Sequence, residues 1–210
     1  MKGVTFDVDG TLYDSWAQHL RAVPHLWRSP RIVASFRRQF ESLRGEHFED
    51  LQAELHQRIA QDLRLEVPDV EAAVQQAMYR DWPASFSNQT PLEGLRELLQ
   101  AIDAAGIPRA IISDNPSVSK LEAMGVAEGW AAVVDCSALG ALKPLPDGLQ
   151  AASDHMKIAP EHLVHIGDRD KTDGEMARKL GAGFLLRGKS WNSMQELAEE
   201  LGLDLPRHSS

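Results

Sequence analysis

Four short segments of the chain bring acidic side chains together with a hydroxyl group or a lysine. Their polar residues and the glycines among them are Asp7, Asp9, Gly10 and Thr11, then Ser113, Asp114 and Asn115, then Lys143, and finally Gly167, Asp168, Asp170 and Asp173. A cluster of carboxylates cannot stay wholly ionised without a partner, because like charges disfavour one another. Mg²⁺ would resolve that repulsion, since it binds oxygen ligands and often sits between carboxylates and a substrate phosphate. A hydroxyl and a lysine suit phosphate oxygens, so these residue types indicate phosphoryl transfer.

Short apolar runs are the elements that must position these side chains. They occur at residues 4–6, 110–112, 131–134, 163–166 and 184–186. Runs of this length suit strands that are buried on both faces of a parallel sheet. Helical periodicity between them predicts an α/β fold, a Rossmann-like parallel sheet flanked by helices. In such sheets sites form at the carboxyl ends of the strands, and the four polar segments follow strands there.

Two helix starts are predicted from local signals. Thr90 to Glu93 has the form of a capping box with Pro91 at the first helical position. Thr172 and Glu175 form a second capping box by the same criterion.

Residues 15–88 break the alternation of strands and helices. Apolar stripes at helical spacing run from Ile32 to Leu43, from Phe48 to Leu63 and from Val70 to Met78. We therefore expect a small all-helical domain at 15–88, inserted into a discontinuous α/β core of residues 1–14 and 89–204. Residues 205–210 are expected to be a C-terminal tail.

The four polar segments, in this order, resemble the motifs of the haloacid dehalogenase (HAD) superfamily. The match covers residues 6–12 (FDVDGTL), 112–115 (ISDN), 143–144 (KP) and 167–173 (GDRDKTD). The helical insertion lies where many members carry a cap domain. The resemblance implies a phosphatase of the capped branch.

The resemblance also implies a role for each matching residue. Asp7 would be the nucleophile that forms an aspartyl phosphate, and Asp9 the general acid and then the general base. Mg²⁺ would be held by Asp7, the backbone carbonyl of Asp9, and Asp168. The remaining implied roles are phosphate binding by Ser113, Asp114 and Lys143, and support of the site by Gly10, Thr11, Asn115 and Asp173.

The sequence leaves three activities open for such a site. Within the family that the chain resembles, an acid at the position of Asp9 implies a phosphomonoester hydrolase rather than a dehalogenase, and the absence of lysine from residues 15–88 disfavours the phosphonate-cleaving branch, which uses a cap lysine. A sugar phosphomutase would use the same residues. A phospho-accepting receiver domain also combines acids, a hydroxyl and a lysine around Mg²⁺, but it has no need of a long insertion.

An uneven charge marks the first half of the insertion. Residues 16–45 contain one acid, Glu41, and six arginines: Arg21, Arg28, Arg31, Arg37, Arg38 and Arg44. They could form a clamp for a substrate carboxylate or second phosphate, or simply a solvated helix face.

Composition limits the partners. Lysine and arginine sum to 22 against 31 acids, a net charge of −9, which makes a nucleic-acid partner unexpected. The chain shows neither a membrane-spanning apolar run nor a signal peptide, and its single cysteine, Cys136, suits a reducing compartment. We expect a cytoplasmic enzyme, monomer or homodimer, that acts on a small phosphate ester.

Overall fold

The computed structural model describes residues 1–15, 18, 29–82, 85, 86 and 89–205. Within these residues five strands form one parallel sheet: β1 (Gly3–Phe6), β2 (Arg109–Ser113), β3 (Ala132–Asp135), β4 (Leu163–Gly167) and β5 (Gly183–Leu186). Their order in the sheet is β3-β2-β1-β4-β5. This confirms the predicted Rossmann-like fold. The arginines at 21 and 28 and the end of the predicted tail, residues 206–210, lie outside the described residues.

The strands differ in burial according to their place in the sheet. Every residue of the central strand β1 and of β2 is buried, as expected for strands covered on both faces. The edge strands β3 and β5 are only partly covered, and Val133 in β3 is 37% exposed. The prediction of two buried faces is therefore wrong for the edge strands, because the elements that pack on the sheet cover side chains such as Val133 only in part.

Residues 29–82 are largely helical. They form α1 (Pro30–Ser42), α2 (Leu51–Leu63) and α3 (Val67–Gln76), and α3 continues into a π-helical turn at Ala77–Asp81. The predicted apolar stripes provide the contacts between these helices, because Phe36, Leu55, Ile59 and Val74 are buried in one cluster. We call residues 29–82 the helical segment. Its standing as a separate domain bounded at 15 and 88 stays a prediction.

Helices cover both faces of the sheet. On one face α4 (Leu95–Ala104) and α5 (Val118–Ala123) pack with the apolar side chains of Phe6 and Ile111. On the other face lie α6 (Asp147–Met156) and α7 (Glu175–Lys179). The last described helix, α8 (Met194–Leu201), packs on the first face. Among the described residues, none of the helices combines the length and apolar content that a membrane span requires.

Both predicted capping boxes are wrong. Helix α4 begins at Leu95, after Gly94 with a φ of 82°, and the Leu92 amide instead donates to the Leu12 carbonyl at 2.8 Å. Residues 90–93 are thus tied to the loop after β1. Residues Asp170–Gly174 form a π-helical turn and α7 begins only at Glu175, so Thr172 does not cap it.

Candidate active site

The candidate site lies at the carboxyl ends of β1 and β4. The chain runs outward from β1 through β2 to β3 and then returns to the other side of β1 with β4. Ligands of open α/β sheets bind at such a reversal of strand order. Asp7 follows β1 there and Asp168 follows β4, while β2 ends at Ser113 beside them.

A buried lysine joins two of the acids. The Lys143 ammonium lies 2.6 Å from Asp7 Oδ1 and 2.7 Å from Asp173 Oδ1. All three side chains are almost completely buried. Burial alone would lower the pKa of Lys143, but the charges of Asp173 and Asp7 raise it well above its usual value. Lys143 is therefore a permanent cation at the base of the site.

The loop after β1 orients the Asp7 carboxylate. Thr11 Oγ1 donates to Asp7 Oδ2 at 3.1 Å, so the two oxygens of Asp7 face Thr11 and Lys143 separately. Gly10 has a φ of 86°, and a Cβ at this position would collide with the Asp168 carboxylate. Glycine is thus required both by the backbone conformation and by the close approach of β1 and β4 loops.

A buried histidine supports Asp173 from behind. His165 Nε2 lies 3.2 Å from Asp173 Oδ1, and its Nδ1 lies 2.8 Å from Thr5 Oγ1. Burial lowers the pKa of His165, so the ring is neutral and can donate to Asp173 while accepting from Thr5. Burial raises the pKa of Asp173, but Lys143 and His165 outweigh it and the pKa lies below its usual value. Asp173 is consequently a fixed anion that holds Lys143 in place.

Asp9 faces a different set of partners. Lys120 Nζ lies 2.7 Å from both Asp9 oxygens, and the Tyr13 hydroxyl donates to Asp9 Oδ1. Burial raises the pKa of Asp9, but the charge and hydrogen bonds of Lys120 and Tyr13 prevail and lower it. The Asp9 carboxylate is thus held ionised and fixed in direction.

The three polar residues after β2 are placed differently from one another. Ser113 is buried, and its Oγ accepts from the Asn115 amide at 3.3 Å. The Asp114 carboxylate accepts from the Lys143 amide at 2.9 Å and from Arg44 Nη1 at 2.7 Å. Phosphate binding by Asp114 stays a prediction, and two donors already contact its carboxylate.

A metal ion fits the acids of this site. Among the described residues, oxygens of Asp7, Asp168 and Asp173 lie within 4.8 Å of one another. Burial raises the pKa of Asp7, with smaller contributions from the neighbouring acids, and burial likewise raises the pKa of Asp168 to about 6. A bound dication would relieve both effects. The three acids Asp7, Asp168 and Asp173 could therefore hold an ion, and the assignment of Asp7 and Asp168 as its ligands stays a prediction.

Sequence reasoning missed several members of the site. Lys120 and Tyr13 contact Asp9, and His165 supports Asp173. Tyr13 lies four residues after Asp9, a spacing at which side chains on one helical turn meet, and this signal could have identified it. Asp170, the remaining acid of the fourth polar segment, lies outside the cluster of Asp7, Asp168 and Asp173 and forms an exposed ion pair with Arg178 at 2.8 Å.

The arginines of the helical segment do not act as one group. Arg38 pairs with Asp62, while Arg44 reaches the core through Asp114 and the Lys143 carbonyl, the latter at 2.5 Å. Arg37 lines the cavity above the site. Among the described arginines of the predicted clamp, only Arg37 and Arg44 line the cavity that also contains Asp7.

A cavity of about 520 Å³ lies between the helical segment and the sheet edge. Its core side is formed by polar residues that include Asp7, Asp9, Lys120, Lys143 and Asp168. Its other side is formed by residues of α1 and of the turn after α3. The arrangement can hold an anionic group against Lys143 and enclose the remainder of a small molecule.

Known proteins resemble this chain over most of its length. N-acetylmuramic acid 6-phosphate phosphatase of Pseudomonas aeruginosa is 29% identical over 186 residues, which cover 86% of this chain and 79% of that protein. Phosphoglycolate phosphatase of Escherichia coli is 24% identical over 199 residues, with the same coverage of 86% and 79%.

Two solved structures share the fold. A 2-haloacid dehalogenase from Pseudomonas syringae pv. Tomato DC3000 superposes with a TM-score of 0.70 at 18% identity, covering 96% of this chain and 98% of the other. A HAD phosphatase from Thermococcus onnurineus gives a TM-score of 0.66 at 17% identity, covering 98% and 100%. At these identities the likeness concerns the fold alone. The haloacid dehalogenase-like hydrolase family matches residues 1–181, so the chain belongs to that family, in which its curated relatives place it among the phosphatases.

Proposed function

We propose that the enzyme hydrolyses a small phosphomonoester in a Mg²⁺-dependent reaction through an aspartyl phosphate on Asp7. The observation that carries this proposal is the placement of the Asp7 carboxylate. It lies at the base of the cavity, held between Thr11 and Lys143, with Asp168 close by. A carboxylate fixed in this way can attack a phosphorus atom that lies against the same lysine.

In the first step an Asp7 oxygen forms a bond to phosphorus while the ester P–O bond breaks. Asp9 gives its proton to the departing alkoxide, which leaves as the alcohol. In the second step Asp9 takes a proton from water, whose oxygen attacks phosphorus, and the bond to Asp7 breaks to release inorganic phosphate. Lys120 and Tyr13 favour the ionised form of Asp9 that the second step needs. The proton that Asp9 donates in the first step is the one that it took from water in the second step of the preceding turnover, so each turnover leaves Asp9 ready for the next.

Positive charge is supplied to the phosphoryl group by Lys143, with Ser113 as a hydroxyl donor. Asp7 and Asp168, with the backbone carbonyl of Asp9, would hold Mg²⁺. When bound, the ion neutralises phosphate oxygens and lowers the pKa of the buried carboxylates beside it. Asp173 positions Lys143.

Phosphate release from a panel of small phosphomonoesters tests this proposal. We expect turnover with Mg²⁺, loss of turnover with a chelator, and recovery when Mg²⁺ is added in excess. Asp7→Asn keeps the shape of the side chain but not its nucleophilicity, so turnover should fall at least about a thousandfold. Lys189→Met, an exposed change at a residue that does not line the cavity, serves as the control. Substantial phosphate release by a folded Asp7→Asn variant would contradict the assignment.

The same experiment separates the remaining alternatives. A phosphomutase would transfer the phosphoryl group to a sugar and release little phosphate, and a receiver domain would form a stable aspartyl phosphate without turnover. The family match and the phosphatase relatives favour the hydrolase. A cytoplasmic location stays a prediction from the single cysteine.

A further inference from the structure

Most of the apolar residues that line the cavity are aromatic. The chain has 13 aromatic residues in all: 6 Phe, 5 Trp and 2 Tyr. Close to half of them line this one cavity, namely Tyr13, Phe36, Phe40, Tyr79, Trp82 and Phe86. The other apolar residues that line it are Met78 and Pro116. Tyr13, Phe36, Phe40 and Phe86 are at most 6% exposed, so Tyr79 and Trp82, which are half-buried, present most of the ring surface.

The rings are held in fixed relative orientations. Phe36 and Phe40 on α1 stack with their centroids 5.5 Å apart and an interplanar angle of 12°. Trp82 and Phe86 lie 6.1 Å apart at 59°, and Tyr13 meets Phe86 edge to face at 5.7 Å. Five of the rings are thus packed against another ring, which restricts their movement. We call these six residues the aromatic wall.

The polar groups on the same side of the cavity leave few contacts for a hydroxyl-rich substrate. Glu41 and Arg44 pair with each other at 2.7 Å, and Arg44 also binds Asp114. Arg37 lies with its guanidinium carbon 5.7 Å from the centre of the Trp82 ring. A sugar or polyol placed against the rings would lose hydrogen bonds to water and could replace only those that Arg37, Glu41 and Arg44 supply. A flat ring would instead gain both apolar burial and ring–ring contacts.

We infer that the aromatic wall binds the alcohol part of the substrate, and that this part carries an aromatic ring. The inference rests on the proposed function, because it places the phosphate against Lys143 and Asp7. The polar base and the aromatic wall then divide the cavity between the two halves of one molecule. The substrate class is a phosphomonoester whose alcohol bears an aromatic or heteroaromatic ring.

Three synthetic esters with similar primary alcohols test the inference in the wild-type enzyme. They are ethyl phosphate, 2-cyclohexylethyl phosphate and 2-phenylethyl phosphate, so the chemistry at phosphorus stays nearly constant while the distal group changes. We expect kcat/KM for the phenylethyl ester to exceed that for the ethyl ester by about tenfold or more. It should also exceed that for the cyclohexyl ester by about threefold or more, because only the phenyl ring is flat and has a polarised face.

A pair of tryptophan variants connects this preference to the wall. Trp82→Leu should reduce the phenylethyl-to-ethyl ratio of kcat/KM several-fold, because the flat ring of the substrate loses a ring that it contacts. Trp130→Leu is the matched control. Trp130 also lies under an arginine, with Arg109 4.2 Å from its ring centre, but it does not line the cavity. Circular dichroism and thermal melting verify that both variants are folded.

The outcomes separate the two proposals. If no ester is hydrolysed, the proposed function fails. If the esters are hydrolysed with ratios near one, or if the cyclohexyl ester equals the phenylethyl ester, the phosphatase proposal stands and the aromatic inference is overturned. An equal loss of ratio in Trp130→Leu and Trp82→Leu would also overturn it, because the wall would then not be the cause.

Discussion

Lys120 holds Asp9 by both carboxylate oxygens, each 2.7 Å from the ammonium nitrogen, although the two residues are 111 positions apart in the chain. Lys120 lies on α5, and only 8% of its side chain is exposed. The lysine ammonium is also 5.5 Å from the centre of the Phe86 ring, so a ring of the aromatic wall packs against it. Lys120 thereby connects Asp9, which we propose transfers protons, to the aromatic wall, which we propose binds the alcohol part of the substrate.

Lys120→Met should lower kcat about 10- to 100-fold and change KM less than about twofold. The reason is that Lys120 positions Asp9, which acts in proton transfer rather than in binding. Steady-state kinetics on the best ester of the panel measure the split. Lys120→Arg keeps the cation and should recover part of the loss, whereas a merely structural role would give no such rescue. A KM effect larger than the kcat effect would show that Lys120 binds substrate instead.

The sequence allowed the acids to be found but not this lysine. Four site residues could be predicted because each follows an apolar run: Asp7, Ser113, Lys143 and Asp168. The carboxyl ends of parallel strands lie at one edge of the sheet, so these residues are expected to meet there. Lys120 follows Ser113 by seven residues, and its direction depends on how α5 packs on the sheet. Arg44 likewise contacts Asp114 only because the helical segment lies over the sheet edge. Contacts between elements distant in sequence are not encoded in local spacing.

The wrong capping boxes have a related cause. Local signals predicted a helix start at Thr90, but the Leu92 amide bonds to Leu12, in the loop that follows β1. A tertiary hydrogen bond therefore overrides a local preference at that point. Residue spacing identified the apolar stripes of α1, α2 and α3 correctly. Each stripe contains several apolar residues, so no single tertiary contact determines whether the helix forms.

Arg44→Ala should destabilise the protein by about 1–3 kcal/mol. Arg44 and Asp114 are only 13% and 11% exposed, so removal of the arginine leaves a largely buried carboxylate without its partner. Urea denaturation at neutral pH measures the change. Arg38→Ala is the control, because the Arg38 side chain is 61% exposed in its pair with Asp62 and its loss should not measurably change the stability. Equal effects of the two substitutions would contradict the role of Arg44 as a link between the helical segment and the core.

Cys136 should be inert in the folded enzyme. Burial raises the pKa of its thiol above the usual range, and the side chain is completely inaccessible to solvent. The thiolate, which is the reactive form, is therefore almost absent. We expect no reaction with a thiol reagent in the native state and one equivalent after denaturation. Cys136→Ala should retain nearly full kcat/KM, and rapid inactivation of the native enzyme by the reagent would contradict this account.

Arg37 and Arg38 are neighbours in sequence with different surroundings, so they separate the two interpretations of the arginine-rich helix. Arg37 lines the cavity, whereas Arg38 pairs with Asp62. If Arg37 binds a second anionic group, Arg37→Ala should raise KM about fivefold or more for 6-phosphooxyhexanoate, because a charged hydrogen bond is lost. Its KM for hexyl phosphate, which lacks the carboxylate, should not change. Arg38→Ala should alter neither value. An unchanged KM for the carboxylated ester in Arg37→Ala would leave this part of α1 as a solvated helix face.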